Sequence, residues 1–204
     1  MDDLFIVADI IGIIAFSVSG FLVALRHNLD LLGIAISSTL TALGGGIVRD
    51  TILGRTPFAF ESMYPAMTLL VTLGILALFK LFWKEGIEKH SLFVISDTIG
   101  LVAFSITGAL LGIGADYNFF GVVALSFITA IGGGVIRDVL INQVPSVLIS
   151  DFYGSISLIV AMMLYGLHVS FEITNFSLLL VALFAITLRL VAYYRKWQLP
   201  KLAR

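Results

Sequence analysis

Thr41-Ala-Leu-Gly44-Gly45-Gly46-Ile-Val-Arg49-Asp50 is the stretch that decides the fold, and it recurs 88 positions later as Thr129-Ala-Ile-Gly132-Gly133-Gly134-Val-Ile-Arg137-Asp138. Each copy places three consecutive glycines and then an arginine–aspartate pair inside an otherwise apolar segment. Lipid offers no hydrogen-bond partner to an unwound backbone, so such a segment is tolerated only where it lines a cavity or packs on protein. We therefore interpret each copy as a broken membrane helix carrying charge, a construction typical of ion and solute pathways.

The composition indicates a membrane protein. Of the 204 residues, 59% are hydrophobic and only 12% are charged, whereas soluble domains average about a quarter charged residues. The net charge of −1 and the lack of a basic run argue against a nucleic-acid partner, and the lack of cysteine excludes disulfides and thiolate metal sites. The start, Met1-Asp2-Asp3, is acidic where a secretory signal is basic, so we interpret the first apolar stretch as a retained helix. No Ser-His-Asp or paired-carboxylate arrangement can be assembled, and we do not expect an enzyme.

Uncharged runs predict seven transmembrane helices and no strands. With flanking residues, each run approaches the roughly 20 residues that a helix needs to cross the hydrocarbon core. The predicted spans are Ile10–Leu25, Leu31–Val48, Ser62–Phe79, Thr98–Ala115, Tyr117–Ile136, Phe152–Phe171 and Ile173–Leu188.

The distribution of lysine and arginine predicts the orientation. If the N-terminus faces out, the outer side keeps only Arg55 once the two motif arginines are set aside. By the positive-inside rule, this asymmetry places the N-terminus outside and the C-terminus inside. The basic residues then on the inner side are Arg26, Lys80, Lys84, Lys89, Arg195, Lys196, Lys201 and Arg204.

The repeat extends well beyond the glycines. Asp9-x-x-Gly12-x-x-Ala15-Phe16-Ser17-x-Ser19-Gly20 matches Asp97-x-x-Gly100-x-x-Ala103-Phe104-Ser105-x-Thr107-Gly108 at the same offset, and Pro57 matches Pro145. Each unit holds three helices, and because three is odd the second unit must enter the membrane from the opposite side. We therefore expect one channel domain over 1–204, made of inverted repeats at about 4–84 and 92–171 and a seventh helix at about 173–195. Inverted repeats place their shared site near the bilayer midplane.

The glycines Gly44, Gly45 and Gly46, with Gly132, Gly133 and Gly134, have two interpretations. Each glycine costs about 1 kcal/mol in a helix interior relative to alanine, so three in a row favour bending or unwinding. The alternative is close helix packing, which small residues allow. Two matched copies followed by charge favour the first interpretation, and packing can coexist with it.

The charged residues are functional candidates by default, because ionisable side chains inside a membrane are costly. Neighbours on a helix point apart, so we expect Arg49 to bind a partner other than Asp50, and Arg137 a partner other than Asp138. We predict a first cluster near the outer face (Asp9, Arg49, Asp50) and a second cluster near the inner face (Asp97, Arg137, Asp138). A purely structural ion-pair role is the alternative. Arg189, in the seventh helix, is expected to snorkel to the inner interface.

Between the clusters, hydroxyl groups are placed to line a wet path, although such groups also bond back to helical carbonyls. They belong to Ser17, Ser19, Thr41, Ser105, Thr107 and Thr129. A path of hydroxyls and carbonyls with acids at both mouths suits a monovalent cation better than an anion. We expect that cation near the two glycine stretches, with no other cofactor.

The doubled Gly-Gly-Gly-x-x-Arg-Asp motif, on the second helix of each three-helix unit and with a seventh helix added, resembles the prokaryotic trimeric intracellular cation (TRIC) channels. The resemblance covers about residues 4–195. It implies a homotrimer in the bilayer, with a pore in each protomer that conducts potassium, and also sodium as a lesser expectation. It further implies that the second and fifth transmembrane helices kink at the glycines and line that pore.

The resemblance also bears on location and on the runner-up function. The short tail after the seventh helix favours a plasma-membrane protein of a bacterium or archaeon. Prokaryotic relatives are also labelled as transporters of a small amino acid such as glycine. In that alternative, a half-helix N-terminus binds the carboxylate and an aspartate binds the amine.

Overall fold

The computed structural model describes residues 2–82, 89–149 and 152–197, and within these ranges all regular secondary structure is helical. The helices run in chain order as α1 Asp2–Arg26, α2 Leu31–Ile52, α3 Phe58–Glu61, α4 Met63–Phe82, α5 Lys89–Gly114, α6 Phe119–Leu140, α7 Ser146–Ile149, α8 Gly154–Ser170 and α9 Asn175–Tyr194.

Seven long helices coincide with the seven predicted segments. Five of them, α1, α2, α5, α6 and α9, are long and apolar enough to cross a membrane, while α8 and the stretch Met63–Leu78 of α4 are shorter apolar helices. The chain is therefore a multi-pass membrane protein. The count of seven spans and the outward N-terminus stay predictions, and three of the basic residues behind that orientation, Lys84, Lys201 and Arg204, lie outside the described residues.

Two helices begin earlier than predicted. Helix α1 starts at Asp2 rather than Ile10, and α5 starts at Lys89 rather than Thr98. The predicted boundaries stopped at the first charge, whereas the helices continue past it because those charges are buried against protein. Asp9 and Asp97 consequently lie inside helices, with exposed fractions of 0% and 5%.

Helices that correspond by the repeat pack against each other in opposite directions. Gly12 of α1 faces the ring of Phe104 on α5, and Phe16 faces Gly100 in return. Farther along α1, Ser19 reaches back to Asp97, nearer the start of α5. Residues later in α1 therefore contact residues earlier in α5, so the two helices are antiparallel, as an inverted repeat requires.

The same antiparallel relation holds for α2 and α6, and it explains the glycines. Both helices are continuous through the triple glycines, so neither unwinds there, and the bend at the glycines stays a prediction. A methyl group at Gly45 would collide with the carbonyl oxygen of Thr129, and one at Gly133 would collide with that of Thr41. The glycines let the two backbones touch, and the helical hydrogen bonds survive because the neighbouring helix replaces the missing side-chain volume.

The first residues of α2 and α6 are also equivalent in the two repeats. The Asp30 carboxylate accepts a hydrogen bond from the Gly33 amide at 2.7 Å, and the Asn118 side chain accepts one from Gly121 at 2.9 Å. Aspartate and asparagine are equally good N-caps, so α2 and α6 begin in equivalent ways.

Removing either cap should destabilise the protein by about 1 kcal/mol, because one amide at the helix start loses its partner. Asp30→Ala and Asn118→Ala are therefore expected to lower the thermal unfolding temperature in detergent by a few degrees each. Asp30→Ser, which keeps a capping oxygen, serves as the control. Equal stability of Asp30→Ala and the wild type would contradict a capping role.

Candidate functional site

The first cluster lies where the end of α2 meets the first turns of α1. Arg49 Nη1 is 3.3 Å from Asp9 Oδ1, and Arg49 Nε is 2.8 Å from Asp50 Oδ1. All three side chains are fully buried, with exposed fractions of 0%. The structure thus brings the three predicted residues together.

The expectation that Arg49 and Asp50 do not pair is wrong. Arg49 donates from Nε to Asp50 Oδ1 at 2.8 Å and from Nη2 to Oδ2 at 3.2 Å. Asp50 lies in the last turn of α2, and its Oδ2 also accepts the backbone amide of Phe58 at 2.8 Å. The carboxylate therefore bends toward the loop beyond the helix end, where the long arginine side chain can curve around and reach it.

The second cluster repeats this geometry at the end of α6. Arg137 Nε is 2.8 Å from Asp138 Oδ1, which corrects the same expectation here, and Arg137 Nη1 is 3.7 Å from Asp97 Oδ1. Asp138 Oδ2 accepts the Ser146 amide at 2.8 Å and its hydroxyl at 3.0 Å. Ser146 stands 88 positions after Phe58, so both loops close on their carboxylates in the same way.

Each arginine also reaches across to the other repeat. Arg49 Nη1 donates to Thr107 Oγ1 on α5 at 3.3 Å, and Arg137 Nη1 donates to Ser19 Oγ on α1 at 3.0 Å. Ser19 in turn donates to Asp97 Oδ1 at 3.0 Å. Two of the six predicted hydroxyl residues therefore belong to the charge clusters.

The other four hydroxyls bond within their own helices. Each donates at 2.6 Å to the carbonyl four residues earlier, and none is exposed; the residues are Ser17, Thr41, Ser105 and Thr129. Their protons are therefore already used, and only their lone pairs remain for contact with an ion.

Each cluster contains a second arginine that the sequence did not predict there. Arg55 Nη2 lies 2.6 Å from Asp50 Oδ1, with its side chain 40% exposed. At the second cluster, Arg189 of α9 interacts electrostatically with Asp97, and its guanidinium carbon is 5.1 Å from the Tyr153 ring centroid. Arg189 is only 5% exposed, so the snorkelling expectation is wrong. Each cluster now holds two carboxylates and two arginines, which balances its charge.

Two tyrosines were also missed. Tyr64 donates its hydroxyl to Asp9 Oδ2 at 3.0 Å, and Tyr153, which is 4% exposed, interacts electrostatically with Asp97. Both lie at the start of the third long helix of their repeat, 89 positions apart. That near-repeat spacing was the available signal.

Aromatic rings enclose the arginines. The guanidinium carbon of Arg49 is 5.1 Å from the Phe58 ring centroid and 5.4 Å from that of Phe5, and Arg137 is 5.7 Å from that of Phe93. Cations over ring faces gain more when water is excluded, so these rings stabilise the buried charges.

The predicted cation position coincides with the crossing of α2 and α6. Gly45 and Gly132 are so close that a methyl group built on Gly132 would stand 3.1 Å from the Gly45 Cα. An ion can pass there only if the helices separate. Within the described ranges, no group of three or more histidine, aspartate or glutamate residues is placed to hold a metal ion.

One known family model matches this chain twice in succession, and individual relatives match most of its length. A family model described as "Glycine transporter" matches residues 6–81 and again 94–169. The Bacillus subtilis "UPF0126 membrane protein YvgT" is 36% identical over 197 residues, which cover 94% of this chain and 93% of that protein. The Escherichia coli "UPF0126 inner membrane protein YadS" is 29% identical over 151 residues, covering 74% and 72%.

Solved structures are similar over nearly the whole chain. A prokaryotic TRIC channel crystallised in 0.5 M KCl superposes with a TM-score of 0.85 at 29% identity, covering 98% of this chain and 100% of that one. A TRIC cation channel structure described in terms of conductance gives 0.82 at 35% identity, covering 97% of each. The trimeric intracellular cation channel orthologue from Rhodobacter sphaeroides gives 0.85 at 26%, covering 95% and 98%.

Proposed function

Because this chain belongs to the TRIC channel family, whose family model is described as that of a glycine transporter, we propose that it is a passive channel for monovalent cations. The observation that carries the proposal is a polar column inside an apolar helix bundle. Two buried, charge-balanced clusters stand at the ends of α2 and α6, and the glycine crossing lies between them.

In the conducting state the aspartates attract the cation. In the closed state the guanidinium groups of the arginines take the place of the cation beside the aspartate carboxylates. In the arrangement described above, each carboxylate is neutralised by a guanidinium, and the two backbones meet at Gly45 and Gly133. Conduction requires α2 and α6 to kink and part at the glycines. The ion then meets helix carbonyls and the lone pairs of the hydroxyls, ligands that replace the hydration shell of a monovalent cation.

Potassium is the proposed permeant ion and sodium the secondary one. The channel assembles as a homotrimer in the plasma membrane, with a separate pore in each protomer and no further cofactor. The relation to TRIC structures, one of them described as trimeric, supports the assembly. Seven transmembrane helices with the N-terminus outside complete the proposed topology.

The alternative function is secondary transport of a small amino acid such as glycine. Its support is the description of the matching family model together with the inverted repeat, which many transporters share. The coverage and similarity to channel structures favour the first function.

Single-channel recording in planar bilayers under a potassium chloride gradient tests the proposal. We expect unitary currents that reverse near the potassium equilibrium potential. Asp138→Asn, which removes one carboxylate from the second cluster, is expected to change the unitary conductance. Asp116→Asn is the matched control, because Asp116 is exposed in a turn and its positive φ of 55° suits asparagine.

Two other outcomes would contradict parts of this proposal. Folded, reconstituted protein that gives no unitary current but exchanges labelled glycine in counterflow would establish the transporter function instead. Asp138→Asn protein that unfolds while the wild type conducts would assign that residue a structural role.

A further inference from the structure

Arg189 belongs to the second cluster although its helix, α9, follows both repeats. The residue is 5% exposed, and its guanidinium carbon lies 5.1 Å from the ring centroid of Tyr153 and 5.8 Å from that of Tyr193. It also interacts electrostatically with Asp97, whose helix, α5, packs against α9. Arg189 is therefore a positive charge held in place beside the cluster by two aromatic rings and a packed helix.

Asp97 needs this second cation because Arg137 does not bind it directly. Arg137 Nη1 is 3.7 Å from Asp97 Oδ1, which is too long for a hydrogen bond, whereas the corresponding pair of the first cluster is hydrogen-bonded at 3.3 Å. The Ser19 hydroxyl stands between them, accepting from Arg137 Nη1 at 3.0 Å and donating to Asp97 Oδ1 at 3.0 Å. A buried carboxylate is costly without nearby positive charge, so Arg189 supplies part of the compensation for Asp97.

Tyr153 separates the two arginines of this cluster. Its ring lies against Arg189, and a methyl group built on Gly134 of α6 would stand 3.7 Å from both the Tyr153 hydroxyl and Arg137 Nη2. Arg137 and Arg189 therefore approach Tyr153 from different helices, α6 and α9. Arg189 can keep its position when Arg137 moves with α6.

Charge neutrality at the second cluster depends on Arg189. In the arrangement described above, Arg137 and Arg189 balance the carboxylates of Asp97 and Asp138. When a cation takes the place of the Arg137 guanidinium, two negative charges and one fixed positive charge remain, and a monovalent cation restores neutrality. Without Arg189, two uncompensated carboxylates would remain. A divalent cation such as Ca²⁺, which prefers carboxylate oxygens, matches that charge instead.

We propose that Arg189 is a fixed countercharge that sets the valence of the cation accepted at the second cluster. The proposal rests on the channel function proposed above. Arg189 is then a specificity-determining residue that acts through the charge of Asp97 and does not itself bind the permeating ion.

Block of the potassium current by calcium chloride tests the proposal in the full-length channel. In Arg189→Gln, the calcium concentration that halves the unitary current should fall by about tenfold, because the Coulomb attraction of a divalent cation is twice that of a monovalent one. Arg189→Lys keeps the charge and should resemble the wild type. Arg195→Gln is the matched control, since it removes an exposed charge just beyond the same helix. Equal calcium block of Arg189→Gln and the wild type overturns the proposal.

A charge-compensation pair keeps the proposal testable if Arg189→Gln alone folds poorly. Asp97→Asn leaves the cluster with an excess positive charge and should lower the potassium conductance. Adding Arg189→Gln to Asp97→Asn restores the balance, and the double variant should recover most of the lost conductance. A double variant that conducts no better than Asp97→Asn overturns the proposal.

Thermal unfolding in detergent separates this inference from the channel function itself. A ligand that binds only the folded state stabilises it, so calcium chloride should raise the unfolding temperature of Arg189→Gln but not that of the wild type, relative to potassium chloride of equal ionic strength. The absence of a calcium-specific shift in folded Arg189→Gln overturns the countercharge role. Wild-type protein that gives no current, with the calcium shift present in Arg189→Gln, refutes the channel function and supports the countercharge role.

Discussion

Gly45→Ala should destabilise the protein by about 3 kcal/mol, the upper part of the range for overpacking a core. The added methyl group meets the carbonyl oxygen of Thr129, and a backbone atom cannot change rotamer to make room. Helices α2 and α6 must move apart, and the clusters at their ends move with them. The gain of about 1 kcal/mol in helix propensity offsets only part of this cost. By the scaling for domains of this size, the unfolding temperature falls by about 10 °C.

Thermal unfolding in detergent, followed by circular dichroism, measures this effect. Gly133→Ala should behave like Gly45→Ala, because its methyl group meets the carbonyl oxygen of Thr41. Gly166→Ala in α8 is the control, since nothing lies within 4 Å of its added methyl group, and it should leave stability unchanged or slightly raised. Similar unfolding temperatures for Gly45→Ala and Gly166→Ala would contradict the close crossing.

Arg49→Met should cost about 3–5 kcal/mol, the penalty for removing one partner of a buried ion pair. The substitution keeps an unbranched apolar side chain but removes the guanidinium group, which leaves Asp9 and Asp50 buried with less positive charge. Thr107 also loses a donor. We expect the unfolding temperature to fall by about 6–20 °C by the same scaling, about 2–4 °C per kcal/mol.

Arg195→Met controls for the chemical change, because Arg195 is exposed beyond α9 and exposed ion pairs contribute little. Adding Asp9→Asn to Arg49→Met should recover part of the loss, since the orphaned carboxylate is then neutral, so the two effects should not add. A loss below 1 kcal/mol for Arg49→Met would mean that the cluster contributes little to the fold.

The repeat made much of this architecture predictable. An offset of 88 with three helices per unit requires inversion, and the pairing of Gly12 with Phe104 and of Gly100 with Phe16 follows it. The membership of both clusters was predictable because Asp9 and the Arg49–Asp50 pair were expected at similar depth in the membrane, as were Asp97 and the Arg137–Asp138 pair.

The details that depend on loops and on packing were not predictable. Helix periodicity predicts that the side chains of Arg49 and Asp50 point apart. However, α2 ends two residues after Asp50, and the loop beyond the helix binds the Asp50 carboxylate through the Phe58 amide. Glycine propensity favours unwinding, but contact with a second helix overrides propensity. Arg55 and Arg189 were not predicted as cluster members, because the position that corresponds to each of them in the other repeat holds no arginine. The internal repeat identified the clusters, but it gave no signal for the two residues that balance their charge.

The crosswise hydrogen bonds have a consequence for biosynthesis. Arg49 donates to Thr107, which is made 58 residues later, whereas Arg137 donates to Ser19, made 118 residues earlier. At translation rates of about 5–20 residues per second, Arg49 waits about 3–12 s for this partner. The nascent chain must hold that arginine in the insertion machinery, or at the membrane surface, until α5 arrives, while Arg137 finds its hydroxyl already in place. The order of synthesis thus separates two sites that become equivalent only in the finished protein.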